Sequence, residues 1–108
     1  MSKHLFKSAL NGRTVTVDIG WDAPLQHYYM TITADSLKPT DRPTIIYSSL
    51  GDVAIDGGAS DPVYYWAKLE ELHIVCAYRT IIDEQIRRDA ADPIVNRIVW
   101  HGEVNHTK

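Results

Sequence analysis

The sequence predicts an α+β fold, in which an antiparallel sheet of about four or five strands has two helices packed on one face. Three observations lead to this class. Segments with period-two alternation fill the first half of the chain, two segments with helical spacing follow, and an apolar segment comes last. A run of strands followed by a run of helices is typical of α+β proteins. A chain of 108 residues with 44% apolar side chains is expected to form a single domain, residues 1–108.

Alternation and turn signals predict the strands. The five predicted strands are residues 4–9, 13–20, 27–34, 44–50 and 96–104. Asn11 and Gly12 form a hairpin signal between the first two, because both residues tolerate positive φ. In the third strand, Tyr28, Met30 and Ile32 share one face, opposite a polar face. Strands with one apolar and one polar face favour an antiparallel sheet.

Helical periodicity predicts two helices before the last strand. They cover residues 63–75 and 77–90. Asp61 is a suitable N-cap, and Pro62 suits the first helical position, where a missing N–H costs no hydrogen bond. Trp66, Leu69 and Leu72 have the spacing of a buried stripe in the first helix.

Charge and cysteine content favour a protein of the cytoplasm. The net charge is −3, and acidic residues flank the tight basic pair Arg87-Arg88 on both sides, which argues against nucleic-acid binding. Cys76 is the single cysteine, so the chain forms no internal disulfide and suits a reducing compartment. The first residues are too polar for a signal peptide, and no apolar run approaches the roughly 20 residues of a membrane helix. We expect a bacterial protein that binds neither nucleic acid nor membrane.

The segment GWDAPLQHYY, residues 20–29, joins the second and third predicted strands. Gly20 can adopt φ values that other residues avoid, and Pro24 fixes φ within the turn. Asp22 can accept hydrogen bonds from backbone N–H groups that follow it, and Trp21 can cover the edge of the core. All these roles are structural and need no ligand.

The same segment also predicts a binding surface on the polar face of the sheet. His27 and Tyr29 point away from the predicted helices, with Trp21 and Gln26 at the rim. Aromatic side chains on an uncovered sheet face indicate an interface. The candidate binding residues are Trp21, Asp22, Gln26, His27, Tyr29, Arg97 and His101. The expected partner is a protein or a second copy of the chain, which would make a homodimer.

Two parts of the chain resemble a group of small, uncharacterised bacterial proteins. The first is G-W-D-x-P-L-Q followed by two aromatic residues and an apolar one. The second is a helix opened by Asp61-Pro62, then another helix and the segment Asn-Arg-Ile-Val at 96–99. The resemblance implies no activity, and it implies an accessory, partner-binding role.

Catalytic and metal-binding patterns are not found in the sequence. Asp22 and His27 could pair across the turn, and His101 could join them from the last strand, but nothing in the spacing requires this and such contacts are more often structural. Cys76 has apolar neighbours and is expected to be inert. The histidines are His4, His27, His73, His101 and His106, at spacings that match no metal motif. The sequence therefore predicts no catalytic residue, metal site or cofactor.

Two alternative functions remain open at this level. The first is a small-molecule-binding protein or an enzyme with a pocket between sheet and helices. The residues expected to line that pocket are Tyr64, Tyr65, Trp66 and Trp100, with Arg97 and His101 as its polar groups. The second is a small inhibitor of a host protein, encoded on a mobile element.

Overall fold

The computed structural model describes residues 1–36, 38, 40–92 and 94–103. The strands are β1 (Ser2–Leu10), β2 (Arg13–Asp22), β3 (His27–Ala34), β4 (Thr44–Ser48) and β5 (Arg97–Glu103). The α-helices are α1 (Val63–Glu71) and α2 (Arg79–Ala90), and short 3-10 turns cover Ser49–Gly51 and Val53–Ile55. The predicted α+β class is confirmed. Val104, the last residue of the predicted fifth strand, lies outside the described residues.

The first four strands form an antiparallel meander. Asn11 and Gly12, with φ of 53° and 80°, close the hairpin between β1 and β2, as their sequence predicts. The β2–β3 pairing runs from Val15 opposite Ala34 to Asp22 opposite His27. β4 then adds to the outer edge of β3.

The position of β5 corrects the prediction of a purely antiparallel sheet. The strand order is β4-β3-β2-β1-β5, and β5 runs parallel to β1. Parallel neighbours need a crossover connection, and here the chain between β4 and β5 includes both helices. The first and last strands in the sequence are therefore neighbours in a mixed sheet.

The sheet has two unlike faces, because side chains alternate along each strand. One face lies against the helices and contains side chains that are fully buried: Phe6, Val15, Val17, Ile19, Met30 and Ile32. The helices close this core with Trp66, Leu69, Ile82 and Ile86. The opposite face carries half-buried residues such as Thr16, Asp18 and Tyr29. We call it the helix-free face.

The two helices begin close to the predicted positions. The Asp61 carboxylate accepts a hydrogen bond from the Val63 N–H (2.9 Å) at the start of α1. α1 ends at Glu71, before the predicted residue 75, because His73 adopts a left-handed conformation with φ of 61°. Neither helix in the described ranges combines the length and apolar character needed to cross a membrane.

Candidate functional site

The GWDAPLQ segment forms a turn between β2 and β3. The Asp22 carboxylate accepts a hydrogen bond from the Leu25 N–H (3.4 Å), as a turn-capping aspartate is expected to do. Gln26 has a φ of 56°, and both its backbone N–H and its side-chain amide donate to the Ala23 carbonyl oxygen. Asp22 and His27 are register partners, but this carboxylate bonds to the backbone of the turn. The segment is therefore a turn held by hydrogen bonds among its own residues.

Gly20 is required for close approach of two strands, which corrects the expectation that it supplies an unusual φ. A Cβ at this position would collide with the carbonyl group of Ser2 on the neighbouring strand. The Tyr29 ring lies on the other side of the same space. Glycine is therefore required at position 20 by the space between the strands and not by an unusual φ.

Trp21 lies on the helix side of the sheet, at the edge of the core. Its ring meets the Tyr28 ring edge-on, with centroids 4.9 Å apart and planes at 64°. The ring is partly buried against the core. Trp21 is therefore separated by the sheet from His27 and Tyr29, with which the sequence grouped it.

Tyr29 and His27 lie on the helix-free face and contact their own chain. The Tyr29 hydroxyl donates to Asp18 Oδ1 (2.7 Å) and also lies 3.1 Å from the Ser2 carbonyl oxygen. Burial, and then the charge of Asp18, raise the pKa of Tyr29. The His27 ring packs against Gly58, where a Cβ would collide with it. Both residues have intrachain roles in addition to any binding role.

Charged groups in the middle of the helix-free face are paired within the chain. Lys3 lies 3.2 Å from Asp18, and Lys7 lies 2.6 Å from Asp35. Thr16 also donates to Asp35 (2.8 Å). Partial burial acts to raise the pKa of Asp35, but the hydrogen bonds from Lys7 and Thr16 outweigh it and lower that pKa. This part of the face presents few unsatisfied charges to a partner.

Both edge strands place apolar side chains on the helix-free face. On β5, Ile98 and Trp100 are 66% and 57% exposed. They are register partners of Lys3 and Leu5 on β1, so they share that face. Ile45 on β4 is 65% exposed and is paired with Thr33. The sequence placed Trp100 in an interior pocket, whereas the structure puts it on the surface.

Arg97 and His101 point to the helix side of β5 and meet two residues that sequence reasoning missed. His101 Nε2 lies 2.9 Å from His4 Nδ1, and His4 Nε2 donates to Asp89 Oδ2 (2.7 Å). Arg97 donates to the other Asp89 oxygen (2.8 Å). We call His4, Asp89, Arg97 and His101 the histidine cluster.

The histidine cluster is a continuous chain of polar groups with a buried centre, a partly buried His101 and an exposed Arg97. His4 is fully buried, and Asp89 is 3% exposed. Burial, and then the charges of His4 and Arg97, lower the pKa of His101. A signal for it exists in the sequence, because His4 alternates with Phe6 on the apolar side of β1 and Asp89 continues the period of Ile82 and Ile86.

The residues expected to line a pocket between sheet and helices do not come together in the described structure. Tyr65 and Trp66 are buried in the core, while Trp100 is on the opposite face of the sheet. A groove of about 350 Å³ lies instead at the junction of the two helices. It is lined by Trp66, Leu69, Glu70, His73, Ile74, Val75, Cys76 and Arg79. Burial raises the pKa of the Cys76 thiol, which disfavours the reactive thiolate.

The chain matches no protein-family model, no curated protein and no solved structure. Its resemblance to the group of small bacterial proteins stays a prediction. Among the residues that the structure describes, no group of three or more His, Cys, Asp or Glu side chains is arranged to hold a metal ion. His106 lies outside those residues.

Proposed function

We propose that this protein is a non-enzymatic binding module that associates with a second copy of itself along β5. The observation that carries the proposal is the pair Ile98 and Trp100, both more than half exposed on one side of an edge strand. Large exposed apolar side chains next to each other are typical of protein interfaces, and tryptophan is prominent among residues that dominate binding energy.

The edge position of β5 supports pairing between strands. Edge strands are commonly protected by a charged side chain such as lysine, which opposes addition of another strand. On the helix-free face, β5 carries Ile98 and Trp100 in the places where such a charge would act. Within the described residues β5 is the end strand of the sheet, so its outer edge faces no further strand of this sheet.

The sequence of β5 suits a twofold symmetric pairing. Antiparallel pairing of two copies about Val99 would set Ile98 of each copy opposite Trp100 of the other. Residues opposite each other in an antiparallel pair share a face, so the apolar side chains would cover one another. The nearby charged groups Lys3 and Asp18 already form an ion pair and would not be left unpaired by this contact.

We also propose that this module acts in the cytoplasm. The chain has one cysteine, Cys76, and its partly buried thiol needs no oxidising compartment. The proposed contact depends on an apolar strand edge and not on a disulfide between copies.

Light scattering coupled to size-exclusion chromatography tests the proposal. We expect the wild-type mass to approach that of a dimer as concentration rises toward ~1 mM, a range that detects even weak association. Trp100→Glu should stay monomeric, because it places a charge in the contact. Val53→Glu is the matched control, since Val53 is 94% exposed in the 3-10 turn Val53–Ile55, away from β5 in the sequence. A wild-type chain that is monomeric throughout, or a Trp100→Glu variant that dimerises like wild type, would overturn the proposal.

A further inference from the structure

Two imidazole rings share one hydrogen bond in the histidine cluster. His4 Nε2 bears a proton because it donates to the Asp89 carboxylate. Between His4 Nδ1 and His101 Nε2, 2.9 Å apart, there is room for a single proton. If both rings were imidazolium ions, two N–H groups would face each other and the bond could not form.

We infer that the histidine cluster is a pH-sensitive fastening that holds β5 to the sheet at neutral pH and releases it on acidification. The groups that face one another come from three elements. They are His4 on β1, Asp89 on α2, and Arg97 and His101 on β5.

The charge balance of the cluster favours this behaviour. With neutral imidazoles, the Asp89 carboxylate and the Arg97 guanidinium balance each other. A proton added to the His4–His101 pair leaves an excess positive charge near Arg97, in a region where His4 and Asp89 are shielded from water. A doubly protonated pair would therefore be relieved by moving β5 away from β1.

The direction of the pH effect follows from His101. Its pKa is lowered from the ordinary value of 6.5 first by burial, and then because a second positive charge would repel a proton on His101, whether on the facing His4 ring or on Arg97. Between 6.5 and the lowered value, a released strand binds more protons than a docked one. Docking of β5 is therefore complete above this window and weakens as the pH falls through it.

Release of β5 would also remove Ile98 and Trp100 from their place on the helix-free face. This consequence, the loss of self-association in acid, rests on the proposed function. The docking equilibrium itself does not, because every group in the cluster belongs to one copy.

Hydrogen exchange measured by mass spectrometry tests the inference in wild type and in the monomeric variant Trp100→Glu. We expect amides of residues 97–101 to lose about tenfold or more protection between about pH 7.5 and pH 5, after correction for intrinsic exchange. His101→Gln retains an amide donor toward His4 but does not titrate, so its β5 should stay protected at both pH values. His73→Gln is the matched control, because His73 is exposed in the turn after α1 and should leave the wild-type response intact.

The outcomes separate this inference from the proposed function. Equal protection of β5 at both pH values in wild type, or an acid response in His101→Gln like that of wild type, would overturn the fastening while leaving dimerisation at neutral pH untouched. A chain that stays monomeric but releases β5 in acid would support the fastening and reject self-association.

If His101→Gln fails to fold, NMR of the imidazole nitrogens in the wild-type protein tests the inference instead. Uptake of the second proton should coincide with loss of β5, and two bound protons with β5 still docked would refute the inference.

Discussion

The hydroxyl group of Tyr65 joins helix α1 to the sheet. Tyr65 is fully buried, and its hydroxyl donates to the Tyr28 carbonyl oxygen (2.7 Å) while accepting from the Ala59 N–H (3.0 Å). Tyr28 and Ala59 also form an isolated bridge through their own backbone groups. One side chain thus adds a second hydrogen bond to each of two backbone groups that are already paired inside the core.

Tyr65→Phe should lower the free energy of unfolding by about 0.5–1.5 kcal/mol, because it removes one of two hydrogen bonds from each of these buried backbone groups. Urea denaturation followed by circular dichroism measures this change. Tyr64→Phe is the control, since the Tyr64 hydroxyl contacts Asp52 at the surface and should matter less. A Tyr65→Phe chain as stable as wild type would show that the direct bridge between Tyr28 and Ala59 satisfies both backbone groups without the hydroxyl.

At this scale the sequence predicted roles for single residues unevenly. The capping of the turn by Asp22 and the position of Trp21 at the core edge were both expected from residue chemistry. The bonds of Tyr29 to Asp18 and Ser2 were not, because strand register decides them. Tyr29→Ala is therefore expected to reduce stability, and Trp100 is the sharper site for testing an interface.

Among the elements, helix α1 has the most clearly encoded start. The Asp61 carboxylate caps Val63 and also lies 2.9 Å from the Arg87 guanidinium on α2. Asp83 pairs with the same arginine, as their four-residue spacing in α2 predicts. Asp61 therefore fixes one end of α1 and its position against α2.

Asp61→Ala should destabilise the protein by about 1 kcal/mol, the usual value of an N-cap side chain. Chemical denaturation at neutral pH gives the number. Glu84→Ala removes an exposed carboxylate from α2 and serves as the comparison. If the free energy of unfolding falls by the same small amount in both variants, Asp61 acts only through its net charge, and its hydrogen bond to Val63 contributes nothing.

Element types and boundaries followed from the sequence more closely than element neighbours did. Alternation, Asn11-Gly12 and Asp61-Pro62 are local signals, and each marks a real strand, turn or helix start. The direction of β5 is a non-local property, because a period-two pattern is the same whichever neighbour a strand acquires. His4 and Asp89 escaped notice for the same reason, being 85 positions apart in the chain.

The whole molecule should respond to acid in two stages. Asp35 and Asp61 have lowered pKa values. At Asp35, partial burial raises the pKa, but the hydrogen bonds from Lys7 and Thr16 lower it by more. At Asp61, the hydrogen bond from the Val63 N–H is the largest cause of the lowered pKa. Such carboxylates stabilise the fold at pH values above their ordinary pKa of 3.8. That stabilisation is lost as the pH falls through the lowered pKa values. The lowered pKa of His101 adds an earlier loss that begins below 6.5.

Unfolding free energies measured in urea across this pH range should therefore show one decline below 6.5 and another below 3.8. His101→Gln should flatten the upper decline and leave the lower one. A wild-type curve that is flat from neutral pH down to the carboxylate range would contradict the assignment of the upper decline to His101.

The pairing of β1 with β5 also affects how the molecule is made. β1, β2 and β3 can form local hairpins as they emerge from the ribosome. β5 is synthesised after every other described element. Until β5 is synthesised, β1 is an unpaired edge strand of the nascent sheet and can pair with the wrong strand. The delay before β5 docks, and any chaperone that shields β1 during that delay, should therefore affect the yield of correctly assembled protein.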